Sequence, residues 1–544
     1  FEVIEHHSVG RSKRTVKNAR GLILYVEDKG TGDDGKTVNA KIGFAYDLAG
    51  KRIKKMDLHD TTMNLTIPDL FKPGRKDTSG NNVALWRYDG FGRVTESSDP
   101  DKGFARFKYT DFGEVKAMWD AKNKKIRYYY DELGRMKKKS LPNREGVVRY
   151  FYDNISFADN GLGRVVKIES SYQRKLFSYD KLGRVKRERR ILIDKRMEGS
   201  GQSKTYNTKF TYDLFNRKKT ILYPKDEESN NRMSVNYRYS DRHITGITTS
   251  GAGDDKQIIE NITYNEFGQM TKILRGNKTE TDYTYDIKGR LTSLVTHTNA
   301  NNVKRKLQDV TYSFKVDNSI ASIINKPDVD TDGAFTSSIE YNYKYDGLNR
   351  LVHATGNYES HKATGKVTKQ FERGYTYSAS GNMTGKTIYD PQSNQGTDTW
   401  RFTYKNHAVT SIFTTIDGNR FSMSYDANGN MTDQIDTKKT IHRTLAYDSQ
   451  NRVKKVDDVN TGKTIGQYFY DDQGFRIKKI AEADEKGDMV KREILYPSMY
   501  FGLERKISVN GRAVNEQSYA INNVYLNGVR VAAVKPDGTA RHYL

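Results

Sequence analysis

The feature that most constrains this chain is a sentence repeated three times between Ala84 and Lys139: Tyr88-Asp89-Gly90-Phe91-Gly92-Arg93-Val94, Tyr109-Thr110-Asp111-Phe112-Gly113-Glu114-Val115, and Tyr130-Asp131-Glu132-Leu133-Gly134-Arg135-Met136. The copies begin 21 residues apart. Before each turn, size and polarity alternate, as in Phe107-Lys108-Tyr109. They alternate again after it, as in Val115-Lys116-Ala117-Met118-Trp119, which is the period of a strand and not of a helix. Between the strands, Asp89 or Asp131 can accept hydrogen bonds from amides just ahead of it, and Gly92, Gly113 or Gly134 can take the positive φ that ends a tight turn. A four- or five-residue loop of this kind joins antiparallel neighbours, so each copy is predicted to be a β-hairpin.

The pattern runs along most of the 544 residues. It opens at Tyr46-Asp47 with Gly50, and full copies recur at Tyr179-Asp180 (Gly183, Arg184) and Tyr285-Asp286 (Gly289, Arg290). At Tyr345-Asp346 (Asn349, Arg350) and Tyr447-Asp448 (Asn451, Arg452) an asparagine stands in the glycine's place. Asparagine is the residue that best tolerates the left-handed region after glycine, which fits the same turn. Tyr212-Asp213, and Tyr425-Asp426 with Gly429, belong to the series, as do Tyr377, Tyr404 and Tyr470, with weaker copies at Tyr239 and Tyr264 and a degraded one at Tyr312. Insertions stretch the spacing while leaving the turns recognisable, as expected where insertions fall in loops. Three segments follow: a lead-in strand and linker over 1–45, the repeat array over 46–496, and a terminal β-meander over 497–544, where the turn is gone and strands such as Val529-Arg530-Val531-Ala532-Ala533-Val534 become more apolar. The basic run Arg11–Arg20 resembles a nucleic-acid patch by composition, but lies in this lead-in.

Hydrophobic residues make up only 35% of the chain and charged residues 29%, a balance that alone would lean towards disorder. The 37 tyrosines and 22 phenylalanines argue the other way. A thin sheet wetted on one or both faces reconciles them, because it needs amphipathic Tyr, Arg, Lys and Thr more than a thick aliphatic core. Uneven spacing argues against a closed propeller, which needs blades at an even pitch. A ribbon of hairpins joined edge to edge accepts insertions at its rims, and strand twist makes it coil and hide its edges. The expected fold is all-β, hairpins joined edge to edge into a spiralling hollow shell.

The recurring Tyr-Asp-x-x-Gly-Arg with its aromatic strands resembles the YD repeat of the Rhs family, shared with the B and C components of bacterial Tc toxins and with teneurins. The resemblance covers roughly residues 45–544, and Tyr525–Leu544 resembles the segment just upstream of the Rhs-associated core. It implies a cocoon-like wall that shields a C-terminal toxin or other cargo for export and delivery, in a secreted or cell-surface bacterial protein. The implied partners are the rest of the same polypeptide or a second shell subunit, and the enclosed cargo. The self-cleaving aspartyl protease core and the toxin of that family are not read in these residues, so the resemblance implies the container and no enzyme. The opening FEVIEHHSVG, with neither initiator Met nor charged-then-apolar leader, suggests a fragment or processed product.

Other chemistry is sparse. The absence of cysteine excludes disulfides and thiolate chemistry. Asp328, Asp330 and Asp332 open like a calcium loop, but position twelve is Ile339 and no helices flank it, so an acidic surface loop is the better reading and no cofactor is expected. The 10 histidines are scattered. Repeat aspartates recur at one turn position, which points to capping, since a catalytic acid is needed once. Repeat arginines and tyrosines are expected to stack or pair between neighbouring hairpins. The net charge of +24 is read as solvated Lys and Arg on exposed strands, or as attraction to an anionic surface. An adhesion or glycan-binding repeat module is the alternative function.

Overall fold

The computed structural model describes residues 2–7, 10–58, 82–153, 159–193, 203–225, 232–251, 255–300, 303–328, 336–362, 365–392, 396–514 and 518–543. Among them are 43 strands and no helix, all assigned to one antiparallel sheet. No helix is therefore long and apolar enough to cross a membrane. Hairpin follows hairpin: Val83–Tyr88 pairs with Val94–Asp99, Gly103–Tyr109 with Val115–Trp119, and Gln173–Tyr179 with Val185–Leu192. In each the register slips by one residue at the repeat tyrosine, as where Tyr88 faces Val94 while Arg87 faces Glu96. That slip, with a positive φ on the turn's fourth residue, is the bulge that closes a three- to five-residue hairpin and adds local twist.

Where the sequence suggested a lead-in strand and linker, four strands stand: Glu2–His7, Arg11–Lys17, Ile23–Thr31 and Thr37–Tyr46, each paired antiparallel with the next. Their turn at Asn18 has the repeat's own geometry. Asn18 Oδ1 accepts the N–H groups of Arg20 and Leu22 at 2.9 and 3.0 Å, and Gly21 donates to Asn18 O at 3.0 Å. Asp120–Lys124 folds the same way. Neither follows a tyrosine, so the aromatic marker of the series is missing from both.

The described residues divide into two compact units. The first (1–124, 285–294, 306–442) has almost no apolar interior: its buried hydrophobic residues are Met56, Ala84, Leu85, Ala117 and Ala354. Buried polar groups such as Asp346, Asp398, Thr414 and Asn428 are as numerous there, as a thin, wetted sheet requires. The second unit (125–284, 295–305, 443–544) is doubled in places. Val524, Leu526, Val531, Ala532 and Val534 of the terminal strands cover Ile221, Val235, Ile247, Ile258, Ile259 and Ile273. A smaller patch joins Leu192 and Tyr206 to Ile477, Leu495, Phe501 and Leu503. The apolar terminal strands thus serve as a second layer over the Ile-rich hairpins. Truncating Ile247, which is fully buried, is expected to destabilise this unit by about 2–5 kcal/mol in Ile247→Ala, read as a lower urea midpoint.

Candidate functional site

The site that the sequence multiplies is the repeat turn. In the Tyr88 copy, Asp89 Oδ1 accepts the N–H groups of Phe91 and Arg93 at 3.0 and 2.9 Å, while Oδ2 takes Arg93 Nε at 2.7 Å. The backbone closes twice more, Asp89 N–H to Arg93 O and Gly92 N–H to Asp89 O. One carboxylate therefore shapes the loop and fixes the arginine. Held so, Arg93 lies over the ring of Tyr109 in the next hairpin, 4.7 Å from its centroid, and Nη1 reaches Thr110 O at 3.3 Å. Tyr109 in turn donates its hydroxyl to Val94 O at 2.6 Å. Each such hydrogen bond contributes about 0.5–1.5 kcal/mol.

The same tie recurs along the chain. Arg184, gripped by Asp180 at 2.6 Å, covers Tyr212, whose hydroxyl bonds Val185 O. Arg350, gripped by Asp346, covers Tyr377, bonded to Leu351 O. Arg452, gripped by Asp448, covers Tyr470, bonded to Val453 O. Asp131 holds Arg135 over Tyr152, with Asp153 adding a second ion pair at 3.0 Å. At Asp286–Arg290 the covered ring is Phe314. In the Tyr46 copy Lys51 replaces arginine above Tyr88, which bonds Arg52 O. Tyr179 bonds Val165 O, Tyr345 bonds Ile320 O and Tyr425 bonds Val409 O. Where threonine replaces aspartate, donor and acceptor exchange: Thr110 donates its hydroxyl to Glu114. Asn265 and Gln269 make the neutral version at 2.9 Å. The turn tolerates either partner, provided the pair stays complementary. Asn349 and Asn451 carry φ of 61° and 60°, doing the glycine's work.

Asp328, the described member of the calcium-like trio, is bonded to Lys306 through its own N–H and Oδ2. Asp330 and Asp332 lie outside the described residues. Among the described residues no group of three or more His, Cys, Asp or Glu could hold a metal ion.

A second set of contacts is invisible in the repeat. Within the first unit, hairpin ends meet partners some 300 residues away: Lys122 pairs with Asp426 (separation 304) and Asn428 donates to Asp120 at 2.7 Å (separation 308). Asp33 receives the N–H of Tyr345 at 2.6 Å (separation 312) and also pairs with Lys315. Within the second unit, Ser449 donates its N–H to Glu145 (separation 304), and Tyr223 donates to Asn523 O at 2.7 Å (separation 300). Lys175, 4% exposed, is held by Asp471 at 2.7 Å and Asp472 at 2.9 Å.

These contacts separate two kinds of glycine. A side chain at Gly381 (φ 91°) would meet nothing, whereas a Cβ at Gly429 (φ 80°) would lie 2.3 Å from Asp101 O. Gly381→Ala is expected to cost the left-handed strain alone, about 1–2 kcal/mol. Gly429→Ala should also expose the 99–103 loop to hydrogen exchange, which Gly381→Ala should leave protected. The turns also set pH limits. Asp89 and Asp286 titrate below the usual 3.8, chiefly because the backbone N–H of Arg93 or Arg290 bonds the charged form. Tyr109 and Tyr212 titrate above 10.0 because burial disfavours the phenolate. The carboxylates' contribution is complete above pH 3.8 and falls away as pH drops through their lowered pKa; the tyrosines' is complete below pH 10.0 and falls away above it. Near-ultraviolet circular dichroism should show one plateau between these limits, with Asp89→Asn flattening the acid limb at its own turn.

No family model matches the sequence, and no curated protein matches it. Solved structures do. The chain is similar to one in the crystal structure of TcdB2-TccC3 (TM-score 0.75, 18% identity, 97% of this chain and 28% of that one). It is similar also to a chain of the Photorhabdus luminescens Tc holotoxin pore (0.76, 19%, 97% and 27%) and of TcdB2-TccC3-Cdc42 (0.74, 18%, 97% and 27%). This chain therefore spans little more than a quarter of the solved chains that it matches. At such identity the likeness is one of fold: the hairpin array is folded as a stretch of the Tc toxin chains, whose components were named above for the same Tyr-Asp turn.

Proposed function

We propose that this chain is part of a wound, one-sheet wall that encloses and shields a toxin or other cargo for export and delivery by a bacterium. The observation that carries the reading is the sequence offset of the long-range hydrogen bonds, which lies near 300 residues separately in both units: 282 to 325 residues in one and 282 to 304 in the other. A sheet whose hairpin ends meet hairpins roughly 300 residues further on, again and again, is a sheet laid in successive courses. Lateral ties by tyrosine and arginine let such a wall stand with little core, and the likeness to Tc toxin chains supports the same role. The role is structural and uses no catalytic residue of this segment. The partners are the remainder of a longer polypeptide or a second shell subunit, and the enclosed cargo.

Electron cryomicroscopy of the purified chain and of the longer polypeptide is expected to show a wall around a low-density lumen. Cargo in the longer polypeptide should resist protease until the wall is denatured. A solid particle, or cargo digested at the rate of free cargo, overturns the reading.

A further inference from the structure

Turns of one backbone geometry have two fates in the second unit. Those at Asp448 and Asp471 lie against earlier hairpins: Ser449, 6% exposed, donates its N–H to both oxygens of Glu145 at 3.1 and 2.9 Å, and Asp471 and Asp472 hold Lys175. The tips of these turns are polar, Ser449-Gln450 and Asp472-Gln473. Five of the other turns carry Leu133, Leu162, Leu182, Leu214 with Phe215, and Phe267 at their tips, 70 to 97% exposed, while the turn at Asp241-Arg242 is polar. Single exposed apolar residues are ordinary, but these recur over four consecutive turns, from Leu133 to Leu214, where adjacent hairpins stand about 9.5 Å apart. Between Leu182 and Leu214 the rim is hollowed into a groove of about 720 Å³ walled by Tyr212, Tyr237, Arg184 and Arg217. The N–H groups of Lys181 and Leu214, which occupy the place of Ser449's, have no partner among the described residues.

We propose that this open row of turn tips is a docking surface for the acidic inter-hairpin loops of another course of the same kind of sheet. Each loop sets a carboxylate on a free turn N–H, as Glu145 does on Ser449, and brings it near the turn arginine. The surface continues an interface already built within this unit, and the solved chains with this fold are long enough to hold further courses, since this chain spans 28% of one of them. A second copy of this chain fits poorly: its Glu145 is already engaged with its own Ser449, and two such rims would bring arginine to arginine. The proposal deepens the wall reading and rests on it.

The test titrates a cyclised peptide of residues 138–149, which carries the Glu145 loop, into the whole chain under hydrogen-exchange mass spectrometry. Protection is expected at turns 131–134, 180–183 and 213–217. It should be lost in the Leu182→Ser/Leu214→Ser chain, whose circular dichroism should be unchanged because both side chains are exposed, and lost with the Glu145→Gln peptide. No protection up to the peptide's solubility limit, or equal protection by the Glu145→Gln peptide, overturns the proposal. So does a concentration-dependent dimer of the chain alone that the Leu182→Ser/Leu214→Ser change dissolves. Absent protection beside a lumen in the electron map overturns the docking surface and leaves the wall; protection beside a solid particle supports the surface and overturns the wall.

Discussion

The structure depends on a bond that, wherever the repeat ring is a tyrosine with its tie made, leaves one hairpin and lands on the one before it. A tyrosine hydroxyl reaches the carbonyl of the apolar residue that begins the preceding hairpin's second strand, while the preceding turn's arginine lies across the tyrosine's ring. Ladder hydrogen bonds alone hold strands side by side but leave the sheet free to bend about the ladder. The tie adds a second point of attachment at the rim, so the angle between hairpins is set by side chains. This is how 35% hydrophobic residues suffice for 544: cohesion lies in the plane of the sheet and not beneath it.

Where a second layer exists, the chemistry changes accordingly. The Ile-rich strands Lys256–Tyr264 and Met270–Arg275 bury their aliphatic faces under the terminal strands. The single-layered unit instead buries Asp398 and Asp436 with Trp400, Thr415 and Arg420 as partners. The most deeply buried opposite charges go inside as pairs or triads, whereas Arg275, 4% exposed, has Thr281 Oγ1 as its partner. Lys478 and Glu493 are both 0% exposed, and Arg505 completes Glu493 at 2.8 Å. Such groups lose much of their Coulomb gain to desolvation, and breaking one partner away is costly, so they fix which strand lies against which more than they add stability.

Much of this was legible from the residues. Positive φ admits few side chains, so Gly92, Gly134 or Asn451 marks the turn in plain sequence. Period-two alternation marks the flanking strands, and together they point to an all-β array. The turns at Asn18 and Asp120 escaped because Lys17 and Trp119 stand where the marker tyrosine is expected, although N-A-R-G and D-A-K-N keep the acceptor and the left-handed residue. The long-range partners Glu145–Ser449 and Lys175–Asp471 left no periodic trace, since each is used once and its residue types are common on any strand. The Thr110–Glu114 copy was legible as a member of the series from its tyrosine and glycine, but the trade of donor and acceptor within it shows only in the structure.

The tyrosine tie also has a sense. Tyr109 bonds Val94, Tyr212 bonds Val185 and Tyr470 bonds Val453, in every case towards the amino terminus. A polypeptide leaving the ribosome therefore presents each of these tyrosines to an acceptor that has already emerged, and this tie never has to wait for sequence still unmade. Growth by local contacts in the order of synthesis keeps few edges bare at any moment. For a protein built almost wholly of strands, that order of laying is a safeguard against aggregation before the last repeat is translated.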